Sequence, residues 1–308
     1  MQQFSKQPRI GFIGMGLMGA PMSTRLHQAN FDVAVWNRSP DKCQPLAAAG
    51  LTVCESLQQL VECSDILMLC VTDTHAVDTL VFGDSGIAEF AREGQLLIDF
   101  SSIDPQKTRD MAALLENSGV RWIDAPVSGG VAGAEQGTLA IMAGGREQDI
   151  DSVRSILKPL SQRVTRMGHV GSGQVTKICN QMLVSCNVLV MAEVMALAEK
   201  SGVDAAQIPD ALKGGFADSI PLQLTGPRMA SRDFEPVKWH VKTLLKDLDM
   251  ANTLAKSMQS SVPMAGLGAE LMRLHGSQGY NEHDPCTLVE MYTEKTIETH
   301  RQFVADVP

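Results

Sequence analysis

The chain has 308 residues, with 26 Lys+Arg against 35 Asp+Glu, a net charge of −9. With 44% hydrophobic and 20% charged residues it has the make-up of a folded globular protein, which excludes a disordered chain, a collagen-like repeat and a coiled coil. The acidic balance argues against nucleic-acid or membrane-surface partners, which favour a basic face. Short apolar, β-rich runs at 9–13, 32–36, 65–71, 95–100, 121–124 and 138–143 alternate with segments of helical spacing such as Met18, Met22 and Leu26. That alternation predicts βαβ units and a mostly parallel sheet. The periodicity changes near 168–173. From 173 to 200 runs an apolar stretch without proline and, after its first residue, without glycine, about seven helical turns long. It is apolar on more than one face, which predicts a buried helix. Further helices are predicted over 205–213, 237–258, 263–275 and 285–299, and strand signals are nearly absent after 170. No apolar run is expected to reach the ~20 residues that span a bilayer. The cysteine count is seven, with no C-x-x-C pair, so neither a disulfide framework nor a cysteine zinc site is expected, and a reducing, cytoplasmic location fits. The histidines have no metal-ligand spacing, so no metal is expected.

Gly14-Met15-Gly16-Leu17-Met18-Gly19 follows the first predicted strand and opens a helix. This is the G-x-G-x-x-G arrangement of a dinucleotide site. Gly14 would make the tight turn, Gly16 would let the backbone approach a pyrophosphate, and Gly19 would let helix and strand pack closely. The helix N-terminus offers free N–H groups to the phosphate. The bland alternative is a structural glycine turn. The fold class is therefore α/β: a Rossmann doubly wound domain over 1–168, then an all-α domain over 169–308, the two joined by the long helix. At the end of the second strand stand Asn37, Arg38 and Ser39. An NAD site usually carries Asp or Glu here for the ribose 2′-OH, whereas a neutral Asn37 beside the Arg38 fork suits a 2′-phosphate. NADP is predicted over NAD, the alternative being that Arg38 is a solvated surface charge.

Four blocks in order resemble the β-hydroxyacid dehydrogenase family. They are the glycine loop 14–22, the run from Asp124 to Gly130, the run from Gly171 to Gln181, and Lys246-Asp247-Leu248. The resemblance covers nearly the whole chain. Two positions depart from it: Gln181 stands where the family often has Asn, with Asn180 just before, and Val71-Thr72 replaces Leu-Pro. The resemblance implies hydride transfer between a nicotinamide cofactor and a small anionic hydroxyacid or its semialdehyde, of the tartronate semialdehyde, glyoxylate/succinic semialdehyde or 3-hydroxyisobutyrate type.

Lys177 is the implied general acid/base, a task a lysine performs when burial brings its pKa toward neutrality. Read from the residues alone, it equally fits a lysine snorkelling from an apolar helix. Asn180 and Gln181, at i+3 and i+4, share its helix face. The resemblance makes Ser128, Gly129 and Gly130 part of the substrate-binding signature. Their hydroxyl and N–H groups could hold a carboxylate, the alternative being an ordinary strand-to-helix loop with a Ser cap. The resemblance assigns Val71, Thr72 and Ser102 to the cofactor, Lys246 to both cofactor and substrate, and Trp239 to the active site. Ser102 also reads as an N-cap, and Trp239 as a core aromatic. Lys238, Lys242 and Lys246 recur at helical spacing, as one face of a helix. The long apolar helix suggests burial against another subunit, in a homodimer or homotetramer. The alternative function is a non-catalytic, NAD(P)-sensing or interaction protein on the same scaffold; retention of Lys177 argues for the enzyme.

Overall fold

The computed structural model describes residues 7–293. Internal contacts divide the chain into two units, Met1–Lys177 and Ile178–Pro308. The division falls inside the long helix, later than the expected 168/169 boundary.

The first unit is built on a nine-stranded sheet. Its strands are β1 (Ile10–Ile13), β2 (Val33–Trp36), β3 (Thr52–Val53), β4 (Ile66–Leu69), β5 (Leu96–Asp99), β6 (Arg121–Asp124), β7 (Val127–Ser128), β8 (Leu139–Gly144) and β9 (Ser161–Gly168). They lie in the order β3-β2-β1-β4-β5-β6-β8-β7, with β9 paired to β8. Pairing is parallel from β3 through β6, whereas β8 runs antiparallel to β6 and β7. The strand order reverses between β1 and β4, and sheets of this kind bind ligands outside the carboxyl ends of the strands at such a reversal.

Alternation along the strands feeds two cores. Ile10, Phe12, Ile66, Met68, Leu96 and Ile98 face one side. Ile13, Leu67, Leu69, Leu97 and Trp122 face the other. A parallel sheet covered on both faces reads as continuous apolar runs, which is why six strands were legible. The three unread strands lack that signal. β3 and β7 have two residues each, and β9 is mostly polar, with Val164 its contribution to the core.

The helices that carry the site and the second core are α1 (Gly19–Gln28), α2 (Pro105–Glu116), α3 (Ser172–Lys200), α4 (Ile220–Ser231), α5 (Val241–Ser257) and α6 (Pro263–His275). Val188, Leu189, Ala192 and Met195 of α3 pack with Leu222 of α4, Leu248 of α5 and Met272 of α6 in the second unit's core. The sequence reading missed α4, because Pro221, Gly226 and Pro227 look like breakers. Pro221 lies in the first turn, where a missing N–H is harmless. Gly226 is a close-packing site: a Cβ there would lie 2.9 Å from Pro209 Cγ and 3.0 Å from Met195 Cε.

Three expectations are corrected. Helix α3 is long and apolar enough to cross a membrane by length and composition, with a mean hydropathy of 1.7 in its most apolar window. Between Lys177 and Glu193 its polar residues (Asn180, Gln181, Ser185, Asn187) are uncharged, and its buried apolar residues belong to the second unit's core. Second, α5 begins at Val241, so Lys238 precedes it and does not share a helix face with Lys242 and Lys246. Third, the helix expected over 285–299 starts as a 3₁₀ segment, Pro285–Met291, capped by Asp284, and its part from 294 onward lies outside the described residues.

Candidate functional site

The glycine loop leaves β1 at the point of strand reversal. Gly14 has φ +97°, and a Cβ there would lie 2.3 Å from the Cys70 carbonyl oxygen at the end of β4. Only glycine meets both conditions. Gly19 opens α1 so close to the loop that a Cβ would sit 1.9 Å from Gly14 O. Gly16 is the opposite case, with no atom within 4 Å of the position its Cβ would take. No side chain caps α1. Ala20 N–H donates to Gly16 O at 3.1 Å, Met22 N–H donates to Met18 O at 3.2 Å, and Pro21 has no N–H, so α1 offers an anion beside the open face of Gly16 the positive end of its dipole. Met15 is buried beneath the loop, Met18 packs on the same core, and Leu17 is exposed above it. These features fit the pyrophosphate of a nicotinamide dinucleotide.

Asn37 holds the loop in shape. Met15 N–H donates to its Oδ1 at 2.9 Å, and its Nδ2 donates to Ser39 O at 2.9 Å. Arg38 and Ser39 are exposed, and Arg38 has no carboxylate partner among the described residues. Next to the loop, at the end of β4, Val71 N–H donates to Ser101 Oγ at 3.0 Å, while the Thr72 hydroxyl turns to Asp73 at 2.8 Å. Ser102 is half-buried beyond β5. It is not the cap of α2, because Asp104 accepts from Lys107 N–H in that role. Ser128 ends β7, with Gly129 (φ +134°) and Gly130 (φ +63°) after it at the antiparallel edge of the sheet. Gly130 faces open space.

Lys177 is half-buried on α3, and helical spacing puts Asn180 and Gln181 on its face. In the second unit the Asn180 amide donates to Gln181 Oε1 at 2.9 Å, and Gln181 Nε2 donates to Asp247 Oδ2. Asp247 Oδ1 lies 3.5 Å from Lys246 Nζ. One nearly buried carboxylate thus fixes both predicted residues, Gln181 and Lys246. Trp239 packs against the second unit's core. Lys242 pairs with Glu282 at 2.6 Å.

The buried residues behind the site receive no role from the sequence, although Asp124 opens one of the four blocks. Asp99 and Asp124 end adjacent strands in register, on the face of Leu97 and Trp122. Both are fully buried. Burial pushes the Asp99 carboxyl up to about 7, against the Ser101 hydrogen bonds that lower it, and neighbouring Asp124 raises it further. Burial pushes Asp124 up to about 6, opposed by the backbone N–H groups of Gly171 and Gln174. Asp99 Oδ2 has no hydrogen-bond partner among the described residues. A polar residue ending an otherwise apolar strand was the available signal.

The glycine loop at the strand reversal fits a nicotinamide dinucleotide, and the known proteins make the chain an NAD(P)-dependent oxidoreductase acting on CH–OH groups. Residues 9–168 match the family described as the NAD binding domain of 6-phosphogluconate dehydrogenase. Residues 171–292 match that described as NAD-binding of NADP-dependent 3-hydroxyisobutyrate dehydrogenase. The chain is 35% identical to 2-hydroxy-3-oxopropionate reductase of Escherichia coli, over 92% of this chain and 96% of that one. It is 32% identical to NAD-dependent L-serine dehydrogenase of Pseudomonas aeruginosa, over 92% and 97%. The structure of Mycobacterium tuberculosis 3-hydroxyisobutyrate dehydrogenase with L-serine superposes with a TM-score of 0.85 at 28% identity, covering 94% of this chain and 100% of that one. The chain belongs to the β-hydroxyacid dehydrogenase family.

Proposed function

We propose that the protein interconverts a small semialdehyde and its β-hydroxyacid, using NADPH in preference to NADH, with Lys177 as general acid and base. The observation that carries this reading is the half-buried Lys177 on α3 with two amides on its helix face, one of them fixed by Asp247. A bound nicotinamide would supply or accept the hydride. Lys177 gives a proton to the developing alkoxide in reduction and takes it back in oxidation. Asn180 and Gln181 offer hydrogen bonds to the substrate oxygens. Ser128, Gly129 and Gly130 offer a hydroxyl and backbone N–H groups to a carboxylate. Support for NADPH is the exposed, carboxylate-free Arg38 at the end of β2.

We place 2-hydroxy-3-oxopropionate first among candidate substrates, a choice supported by the 35% identity to 2-hydroxy-3-oxopropionate reductase. A panel adding glyoxylate, succinic semialdehyde, 3-hydroxyisobutyrate and L-serine, read as NADPH oxidation or NADP⁺ reduction, tests the reading. Turnover of at least one member is expected. NADPH binding with no turnover of any would favour a cofactor-sensing protein instead.

A second copy of the chain is proposed to cover the apolar rows left exposed in the second unit. On α3 these are Leu183, Val190, Val194 and Leu197, and on α6 Met264, Leu267 and Leu274. The spacing within each row is that of one helix face, and Leu183 and Leu197 are about 70% exposed. Light scattering should give a dimer or tetramer mass, and a monomer mass at micromolar concentration would refute this.

A further inference from the structure

The first turn of α3 has no capping side chain of its own. Its cap comes from β6, 47 residues earlier. Gly171 N–H donates to Asp124 Oδ1 at 2.7 Å and Gln174 N–H to Asp124 Oδ2 at 2.9 Å. The carboxylate is enclosed by two glycines. A Cβ on Gly144 would lie 2.4 Å from Oδ1, and one on Gly173 would lie 2.8 Å from Oδ2. The Gln174 side chain then ties the same turn to the β5–α2 loop. Ile103 N–H donates to its Oε1 at 3.1 Å, and its Nε2 donates to Ser101 O at 2.8 Å. Ser101 in turn accepts from Val71 N–H through Oγ at 3.0 Å and donates its N–H to Asp99 Oδ1 at 2.9 Å. Asp124 is 0% and Gln174 1% exposed.

Both residues are therefore committed to backbone partners, and neither reaches open space. Gln174 lies one helical turn before Lys177, on the same side of α3. Rotation or sliding of this turn would carry Lys177 with it. Ser102 stands in the loop that Gln174 holds from both sides, and Val71 lies at the end of β4. The helix of the proposed acid/base and two segments assigned to the cofactor are thus joined by one buried hydrogen-bond network.

We propose that Asp124 and Gln174 are positioning residues for Lys177, fixing the register of α3 against the carboxyl ends of β5 and β6. The proposal rests on the assignment of Lys177 as general acid/base. Misplacing a catalytic group by about 1 Å can cost on the order of 100-fold in rate. Loss of one anchor should leave the glycine cradle untouched.

Two variants test this. In Asp124→Asn an NH₂ replaces one oxygen, so at least one of the two backbone donors loses its acceptor. Gln174→Met keeps the length of the side chain and removes both of its hydrogen bonds, and it carries the test if the first variant does not fold. Each is made alone and with Lys177→Ala, and turnover is counted per NADPH-binding site, with residual rates read in single-turnover NADPH oxidation. The expected result is a fall in kcat of about 10- to 100-fold, with KM and the NADPH Kd within about threefold of wild type. Added to Lys177→Ala, the same substitutions should change the residual rate by less than about twofold, because residues acting as a unit are non-additive. An unchanged kcat, a rise in NADPH Kd that accounts for the loss, or a full effect in the Lys177→Ala background would overturn the positioning role. Near-normal kcat in Lys177→Ala alone would instead remove the lysine's own assignment.

Discussion

Replacing Arg38 by Ala should remove most of the proposed preference for NADPH over NADH. The side chain is exposed at the end of β2, beside the glycine loop, and no carboxylate among the described residues competes for it. Its fork is therefore free to take a 2′-phosphate in two parallel hydrogen bonds. A hydrogen bond to a charged group contributes about 1.5–3 kcal/mol. Solvent exposure screens the pair, so the lower part of that range applies, about 1.5–2 kcal/mol. That corresponds to a fall of about 10- to 30-fold in kcat/KM for NADPH, at 1.4 kcal/mol per factor of ten. NADH has no 2′-phosphate, and its kcat/KM should stay within about twofold, because the Met15 and Ser39 bonds of Asn37 that shape the loop remain. The assay is steady-state kinetics with each cofactor at one fixed substrate concentration. Equal losses with both cofactors, or an NADH preference in the wild type, would refute the assignment of Arg38 to the phosphate.

Three further outcomes follow from the same geometry. Lys177→Ala should lower kcat by about 100- to 10,000-fold with NADPH binding largely intact, measured by fluorescence titration; near-normal kcat would exclude the acid/base role. Gly16→Ala should leave the unfolding midpoint unchanged, because nothing lies within 4 Å of the added Cβ, yet weaken NADPH by about tenfold or more, since that space faces the proposed pyrophosphate. An unchanged Kd would place the phosphate elsewhere. Asp99, raised from 3.8 to about 7, contributes its stability below pH 4 and loses it as pH rises through 7. The loss is on the order of 4 kcal/mol by linkage. Asp99→Asn should remove that dependence, so urea midpoints at pH 5 and pH 8 should show the wild type losing ground to the variant as pH rises. A pH-independent difference between the two proteins would refute it.

The fold was legible where burial imposes a pattern. β1, β4 and β5 are buried at every position, and the helix over Pro263–His275 was read to the residue from its proline start and apolar spacing. Failures came where pairing or context, not composition, decides. β9 is a strand because β8 offers it a parallel edge, although its own residues are mostly polar. Helix α4 forms despite two prolines and a glycine, because one proline sits in the first turn and the glycine fits against Pro209 and Met195. The start of α5 was placed too early, because Lys238, Lys242 and Lys246 have helical spacing whether or not a helix holds them.

The site shows the same division more sharply. The residues proposed to meet the cofactor carry a local signature. Gly14, Gly16 and Gly19 each have a separate steric reason at a fixed spacing, and Arg38 lies at a fixed place after β2. The buried residues that hold those in place receive no role from the sequence, although Asp124 and Gln174 lie inside two of the four blocks, because their partners are far away in sequence. The Asp124 bonds span 47 and 50 residues, and the Gln174 side-chain bonds span 71 and 73. Asp247 reaches Gln181 across 66 residues. A carboxylate at the end of an apolar strand, or a glutamine in the first turn of an apolar helix, costs free energy when buried unless hydrogen-bonded. Such a residue therefore signals an unseen partner even when the sequence cannot name it. In the doubly wound sheet that partner lies at the carboxyl end of the strands, the same end as the cofactor cradle. Burial, register and the strand reversal thus bring the supporting network and the proposed cofactor-facing residues of the first unit to the carboxyl end of the sheet.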